Sequence, residues 1–145
     1  MQNLKYSTEV QHLNGNSFTS QVISFKALDG YVLAGVLYTP VDTIKANLVV
    51  SSATGVPQAF YRRFSEYAAQ LGYQVLTFDY RGVAKSAPRQ LKGFKMSYLD
   101  WGKLDLAGAI DYSFKQDTPL FLVGHSYGGQ ALGLTPNHDK VSAMY

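Results

Sequence analysis

The sequence predicts an α/β fold: a mostly parallel sheet with helices on both faces. Three observations carry that prediction. Short apolar runs bounded by turn residues recur along the chain, segments of helical period separate them, and the first two runs are joined by an Asp-Gly turn. Strands alternating with helices need right-handed crossovers, which make neighbouring strands parallel. With 145 residues, 46% of them hydrophobic, the chain can bury one core and is short for two. Residues 1–145 therefore read as one domain with a polar leader over about residues 1–20.

The leader, MQNLKYSTEVQHLNGNSFTS, holds no apolar run that could act as a signal segment. Runs 22–27 and 31–38 read as two strands joined across Asp29-Gly30, a pair suited to a tight antiparallel turn. ANLVVSS, 46–52, is apolar enough for a fully buried strand. A glycine-bearing loop follows, then a helix with Phe60, Phe64, Tyr67, Ala68 and Leu71 on one face, stopped by Gly72. YQVLTFDY, 73–80, is another buried strand, and 81–95 a loop. A helix begins at Ser97 with Asp100 three residues on as its capping partner, and Trp101, Leu104, Ala107, Ile110 and Phe114 give it a core face. PLFLVGH, 119–125, is the next strand, a short helix follows Ser126, and VSAMY, 141–145, begins a further strand. There is no internal repeat, low-complexity tract or linker.

Composition narrows the function classes. Net charge is +3, but the basic residues are scattered, with Arg62-Arg63 the one adjacent pair, so no nucleic-acid partner is expected. The absence of cysteine excludes a disulfide frame and thiolate metal sites. No segment reaches membrane-spanning length, and a cytoplasmic location is the expectation.

The chemistry-bearing motif is Gly124-His125-Ser126-Tyr127-Gly128, a G-x-S-x-G pattern between a predicted strand and a predicted helix. Two glycines beside a serine can be no more than a strand-to-helix turn. In this setting, though, the sharp turn would project the Ser126 hydroxyl above the sheet and aim the Tyr127 amide at a developing oxyanion.

With this elbow, the stretch SSATGVPQAFYRRF after the third strand and VLTFDYRGVAKS at the fourth, the chain from about Val22 onward resembles the α/β-hydrolase superfamily. It is most similar to the bacterial serine hydrolases related to serine aminopeptidases and monoacylglycerol lipases. The resemblance implies Ser126 as nucleophile, an acyl-enzyme formed from a small ester, thioester or amide, and neither metal nor organic cofactor. It also implies a second oxyanion donor from the loop after the third strand, mapped onto Thr54 with Ala53 as the fallback. Many relatives carry His-Gly in that loop where this chain has Ser52-Ala53. The family's Asp-x-Arg-Gly-x-Gly-x-Ser pattern reads here as Asp79 to Ser86, with Ala84 in place of a glycine, and Asp79 and Arg81 are assigned structural roles.

A serine hydroxyl needs a general base, itself oriented by a carboxylate, and in this fold both follow the serine in the chain. The chain has three histidines. His125 should point away from its neighbour Ser126 and pack under the elbow. His138 is carried off by the intervening helix and reads as a surface residue, and His12 lies in the leader. Asp100, Asp105 and Asp111 fall on the helix before the elbow strand, in solvated or capping roles, and Asp117 and Asp139 in distant loops. The expectation is therefore an N-terminal half of such a hydrolase, ending after about the sixth strand, with acid and base beyond residue 145. Such a chain would self-associate through its open sheet edge. The alternative is an interaction module that keeps the elbow without turnover.

Overall fold

The computed structural model describes residues 9–13 and 16–145. Seven strands form one sheet: β1 (Glu9–Leu13), β2 (Asn16–Lys26), β3 (Val32–Pro40), β4 (Ala46–Ser51), β5 (Tyr73–Phe78), β6 (Leu120–Gly124) and β7 (Ala143–Met144). Their order across the sheet is β1-β2-β3-β5-β4-β6-β7. The first three strands are antiparallel, β3 runs antiparallel to β5, and from β5 to β7 every pairing is parallel. LVVSS and FLVGH are thus parallel neighbours, Leu48 facing Phe121 and Ser51 facing Gly124.

The stretch read as a polar leader contributes residues 9–13 and 16–20 to the sheet. Residues 1–8 and 14–15 lie outside the described residues, but 16–20 belong to β2, which pairs with β3 from Phe18 opposite Pro40 to Lys26 opposite Val32. Phe18, fully buried, draws this polar stretch into the sheet, while its Ser, Thr and Gln neighbours need only tolerate partial exposure. The expected hairpin turn is present, with Gly30 at φ +87° and its N–H donated to the Ala27 carbonyl at 2.9 Å.

Helices cover both faces. On one lies α1 (Arg62–Gln70), entered through a 3₁₀ turn at Gln58–Tyr61; it packs over Phe18, Tyr38, Leu48, Val50 and Val75. On the other lie α2 (Ala107–Ser113) and α3 (Tyr127–Ala131), against Val49, Leu76, Phe78, Leu120 and Leu122. Of the predicted face of α1 only Ala68 meets the sheet. Tyr61, Ser65, Ala68 and Ala69 are buried, while Phe60 is 70% exposed and Phe64, Tyr67 and Leu71 also face outward. Both stripes have helical spacing, and the one with small residues lets the helix axis approach the sheet.

The segment leading into α2 is wound as a π-helix at Trp101–Leu106. Its Leu104 carbonyl accepts both the Ala107 N–H and, at 3.1 Å, the Leu28 N–H of the hairpin. Of the predicted face, Trp101, Ala107 and Ile110 are buried and Leu104 packs against the core, joined by Leu106 and Ala109, while Phe114 is 38% exposed. The predicted cap is there: the Ser97 N–H donates to Asp100 Oδ2 at 2.7 Å and the Leu99 N–H to Ser97 Oγ at 3.2 Å. Among the described residues no helix is long and apolar enough to cross a membrane.

Candidate active site

The strand-to-helix turn at Ser126 is completed within one residue. The His125 N–H donates to the Ser51 carbonyl at 3.0 Å, extending the contact with β4 past the end of β6. Immediately afterwards the Gly128 N–H bonds the His125 carbonyl at 2.9 Å and the Gly129 N–H bonds the Ser126 carbonyl at 3.0 Å, which starts the helical turn. Ser126 absorbs the reversal with φ 53° and ψ −115°, a backbone state that L residues adopt only under constraint. The flanking glycines are forced by space. A Cβ on Gly124 would lie 2.5 Å from the Gly129 Cα, and one on Gly128 would overlap the Ser51 carbonyl.

Ser126 is exposed and opens onto a cleft of about 380 Å³, with Thr54 and Tyr127 beside it and Tyr98, Leu99 and Leu134 as walls. The cleft is built by aromatic packing. Tyr98 meets Tyr127 edge to face at 4.4 Å, Trp101 stacks on Tyr80 at 5.1 Å, and the Tyr127 hydroxyl donates to the Tyr98 carbonyl at 2.8 Å. Burial pushes the Tyr127 phenol above its ordinary range, so it stays a donor at neutral pH. The Thr54 and Tyr98 hydroxyls are hydrogen-bonded to each other at 2.5 Å across the cleft.

Of the residues the sequence assigned to oxyanion binding, Tyr127 is the first of α3, where an N–H has no intrahelical acceptor. Thr54 lines the cleft. Ala53 does not present its amide there: it is buried and its N–H is donated to the Tyr61 hydroxyl at 3.0 Å. The Ala53 fallback thus has its proton engaged elsewhere, for a reason of local packing.

Asp79 and Arg81 shape the loops around this site. Asp79 accepts the Gln58 N–H at 2.7 Å and the Lys85 N–H at 3.2 Å, tying the loop after β4 to the loop after β5. Gln58 in turn accepts from the Thr77 hydroxyl at 2.6 Å. Arg81 forks onto Asp29 at 2.8 Å and bonds Asp105 at 2.7 Å, and its carbonyl accepts the Trp101 indole N–H at 2.9 Å. Asp105, expected to be solvated or capping, is fully buried as this counter-ion. The π-helical winding turns it inward, 24 residues along the chain from the guanidinium it needs.

The histidines and remaining carboxylates stand apart from the cleft. The His125 ring is exposed rather than packed under the elbow: its Nδ1 lies 3.0 Å from the Tyr61 hydroxyl and Phe60 stacks on it at 6.4 Å. Phe60 and Tyr61, in the 3₁₀ turn ahead of α1, hold it to the side. His138 is exposed, with Nδ1 on the Thr135 carbonyl at 3.0 Å. His12 belongs to β1, at the sheet edge away from β6. Asp111 pairs with Lys140 at 2.7 Å, and Asp117 and Asp139 are exposed. Tyr61 and Tyr98, whose hydroxyls meet the loop that carries Thr54, left no sequence signal, because their partners lie in other elements.

A family model described as serine aminopeptidase, S33, matches residues 42–142. No curated protein sequence matches the chain. Among solved structures, the α/β hydrolase GrgF from Penicillium sp. sh18 superposes with a TM-score of 0.70 at 21% identity, covering 86% of this chain and 44% of that one. A thermostable carboxyl esterase from Bacillus coagulans gives 0.67 at 21% identity, with 86% and 43% covered. A soluble variant of monoglyceride lipase from Saccharomyces cerevisiae gives 0.61 at 19%, with 99% and 44% covered. The chain thus spans less than half the length of these structures, which it resembles in fold.

Proposed function

The chain belongs to the serine aminopeptidase S33 family, and on that premise we propose that Ser126 is the nucleophile of a serine hydrolase acting on a small, uncharged acyl ester or amide. The observation that carries the reading is the strained Ser126 backbone, held above the cleft by two glycines that admit no side chain. Such strain is found where a fold constrains a side chain for chemistry.

In this reading the Ser126 Oγ adds to the acyl carbonyl carbon and its proton passes to a general base. The carbonyl oxygen takes up the negative charge between the Tyr127 and Thr54 amides, and collapse expels the alcohol or amine with that proton. Water then adds to the acyl-enzyme and releases the acid. The cleft walls, Tyr98, Leu99 and Leu134, suit an uncharged acyl group. The base and its carboxylate are assigned to the part of such a fold that this chain does not span.

Reaction of the chain with a fluorophosphonate probe, followed by mass mapping, tests the assignment. Label on Ser126 that is absent in Ser126→Ala is the expected result. Label elsewhere, or label that persists in Ser126→Ala, would overturn it. Turnover of a short p-nitrophenyl ester by the same two proteins gives the second reading.

A further inference from the structure

Tyr61 closes the 3₁₀ turn ahead of α1 and is 9% exposed, so its hydroxyl must find partners inside the protein. It has two. The Ala53 N–H donates to the oxygen at 3.0 Å, and the His125 Nδ1 lies 3.0 Å from it on the other side. With the Ala53 amide on the oxygen, the buried phenol proton is satisfied only by pointing at Nδ1. That nitrogen then accepts, and a neutral His125 ring carries its own proton on Nε2. The residue is fixed along its length: the Ser65 hydroxyl donates to the Tyr61 carbonyl at 2.9 Å, and the Tyr61 ring meets His125 edge-on at 6.0 Å.

The two partners are telling. Ala53 immediately precedes Thr54 and His125 immediately precedes Ser126, so one hydroxyl joins the two arms from which the proposed oxyanion donors hang. These arms are far apart in sequence, Tyr61 and His125 being separated by 64 positions. Tyr98 makes the other side-chain link between them, its hydroxyl on the Thr54 hydroxyl and its carbonyl accepting from the Tyr127 hydroxyl, whereas Tyr61 reaches the residue preceding each donor arm's key position. We infer that Tyr61 is a positioning residue of the catalytic site: its hydroxyl sets the spacing between the loop after β4 and the elbow, and hence the convergence of the Thr54 and Tyr127 amides. The inference rests on the acyl-transfer reading of Ser126. Its energetic logic is that preorganised donors act only when held at the oxyanion position, and small displacements are costly in rate.

The test is Tyr61→Phe in the 145-residue chain, which keeps the ring and removes the tether. A second variant, His125→Phe, keeps a ring against Phe60 and removes the acceptor. We expect Tyr61→Phe to slow fluorophosphonate labelling of Ser126 by about tenfold or more. Hydrogen exchange at the Ala53 amide should rise, and the ¹⁵N signals of the His125 ring should leave the pattern of the Nε2-protonated tautomer. His125→Phe should slow labelling while leaving the Ala53 amide protected. Faster Ala53 exchange with unchanged labelling would overturn the inference, because the tether would then be structural alone. Unchanged exchange and ring signals would overturn it too. If the wild-type chain takes no label for want of the general base, faster Ala53 exchange and a changed ring pattern in Tyr61→Phe still support the tether, and their absence overturns it.

Discussion

Gly128 lies so close to Ser51 that any Cβ placed on it would overlap the Ser51 carbonyl. The same carbonyl oxygen accepts the His125 N–H, so β4, the elbow and the first turn of α3 meet at one backbone group. A side chain there cannot rotate away, because the conflict is with backbone. Gly128→Ala should therefore cost about 3 kcal/mol, at the upper end of overpacking effects, and abolish probe labelling of Ser126. Chemical denaturation with a parallel labelling assay checks both. A variant with wild-type stability and labelling would show that the elbow has slack at this point.

Strain and chemistry separate at two other positions. Ser126 and Ala84 are the non-glycine residues with positive φ among the described residues, at 53° and 39°. Glycine takes up such backbone without the Cβ penalty. Ala84→Gly should raise stability by about 1 kcal/mol and leave labelling intact. Ser126→Gly should raise it similarly relative to Ser126→Ala while removing the label, since both lose the hydroxyl and only one keeps the strain. If Ser126→Gly is no more stable than Ser126→Ala, the turn at Ser126 is not a reservoir of strain.

The elbow was legible in the sequence because what it requires is local: two glycines, a serine, an apolar strand before and a helix after. The parallel pairing of 46–51 with 120–124 was legible for the same reason, each being a short, mostly apolar run, although it also buries Asn47 and Ser51. The packing side of α1 was not. Phe60, Phe64, Tyr67 and Leu71 share their period with Tyr61, Ser65 and Ala69, and a reading by side-chain size favours the first set. Close approach of backbone to sheet favours the second. Asp105 failed differently. A carboxylate on a helix is solvated unless a counter-ion meets it, and its partner Arg81 belongs to another element. The links made by Tyr61 are of the same kind, for they depend on which loops the fold brings together.

The Arg81 network yields contrasting losses. Asp105 is fully buried, so removing its guanidinium leaves an uncompensated charge, and Arg81→Leu should cost about 3–5 kcal/mol. The Asp29 side chain is 40% exposed, and Asp29→Asn should cost under about 1 kcal/mol. The pH dependence also differs in sign. Hydrogen bonding to Arg81 holds the Asp29 carboxyl below the usual carboxylate range. Its contribution is thus complete above about pH 4 and lost as pH falls through the lowered value, and wild type and Asp29→Asn should converge there. Burial pushes the Asp105 carboxyl up against the pull of Arg81. With Arg81 gone the folded state binds that proton still more tightly, so Arg81→Leu should recover stability as pH falls towards the raised value. Denaturation midpoints across an acid pH series check all three proteins. A constant gap between wild type and Asp29→Asn would remove Asp29 from the network.

The far edge of the sheet bears on how the chain behaves in solution. β7 is a strand of two residues hydrogen-bonded to β6 on one side, with Met144 45% and Tyr145 95% exposed. Beside it a hollow of about 280 Å³ lies among Leu48, Tyr73, Phe121, Val123 and Met144. The core formed by Leu48, Tyr73, Phe121 and Val123 is the one α1 covers, and α1 itself turns Phe64, Tyr67 and Leu71 outward. Unpaired strand groups next to apolar surface recruit a further strand or a second apolar face. We therefore propose that the 145-residue chain self-associates through β7 and this hollow. Sedimentation velocity at micromolar concentration should show species larger than the monomer, and Met144→Lys, which places a charge in the hollow, should shift the population towards monomer. A wild-type monomer with the β7 amides protected in hydrogen exchange would show that the edge is already closed within one chain. Association unaffected by Met144→Lys would move the contact elsewhere, and the outward stripe of α1 is the surface on which Phe64→Lys would then test it.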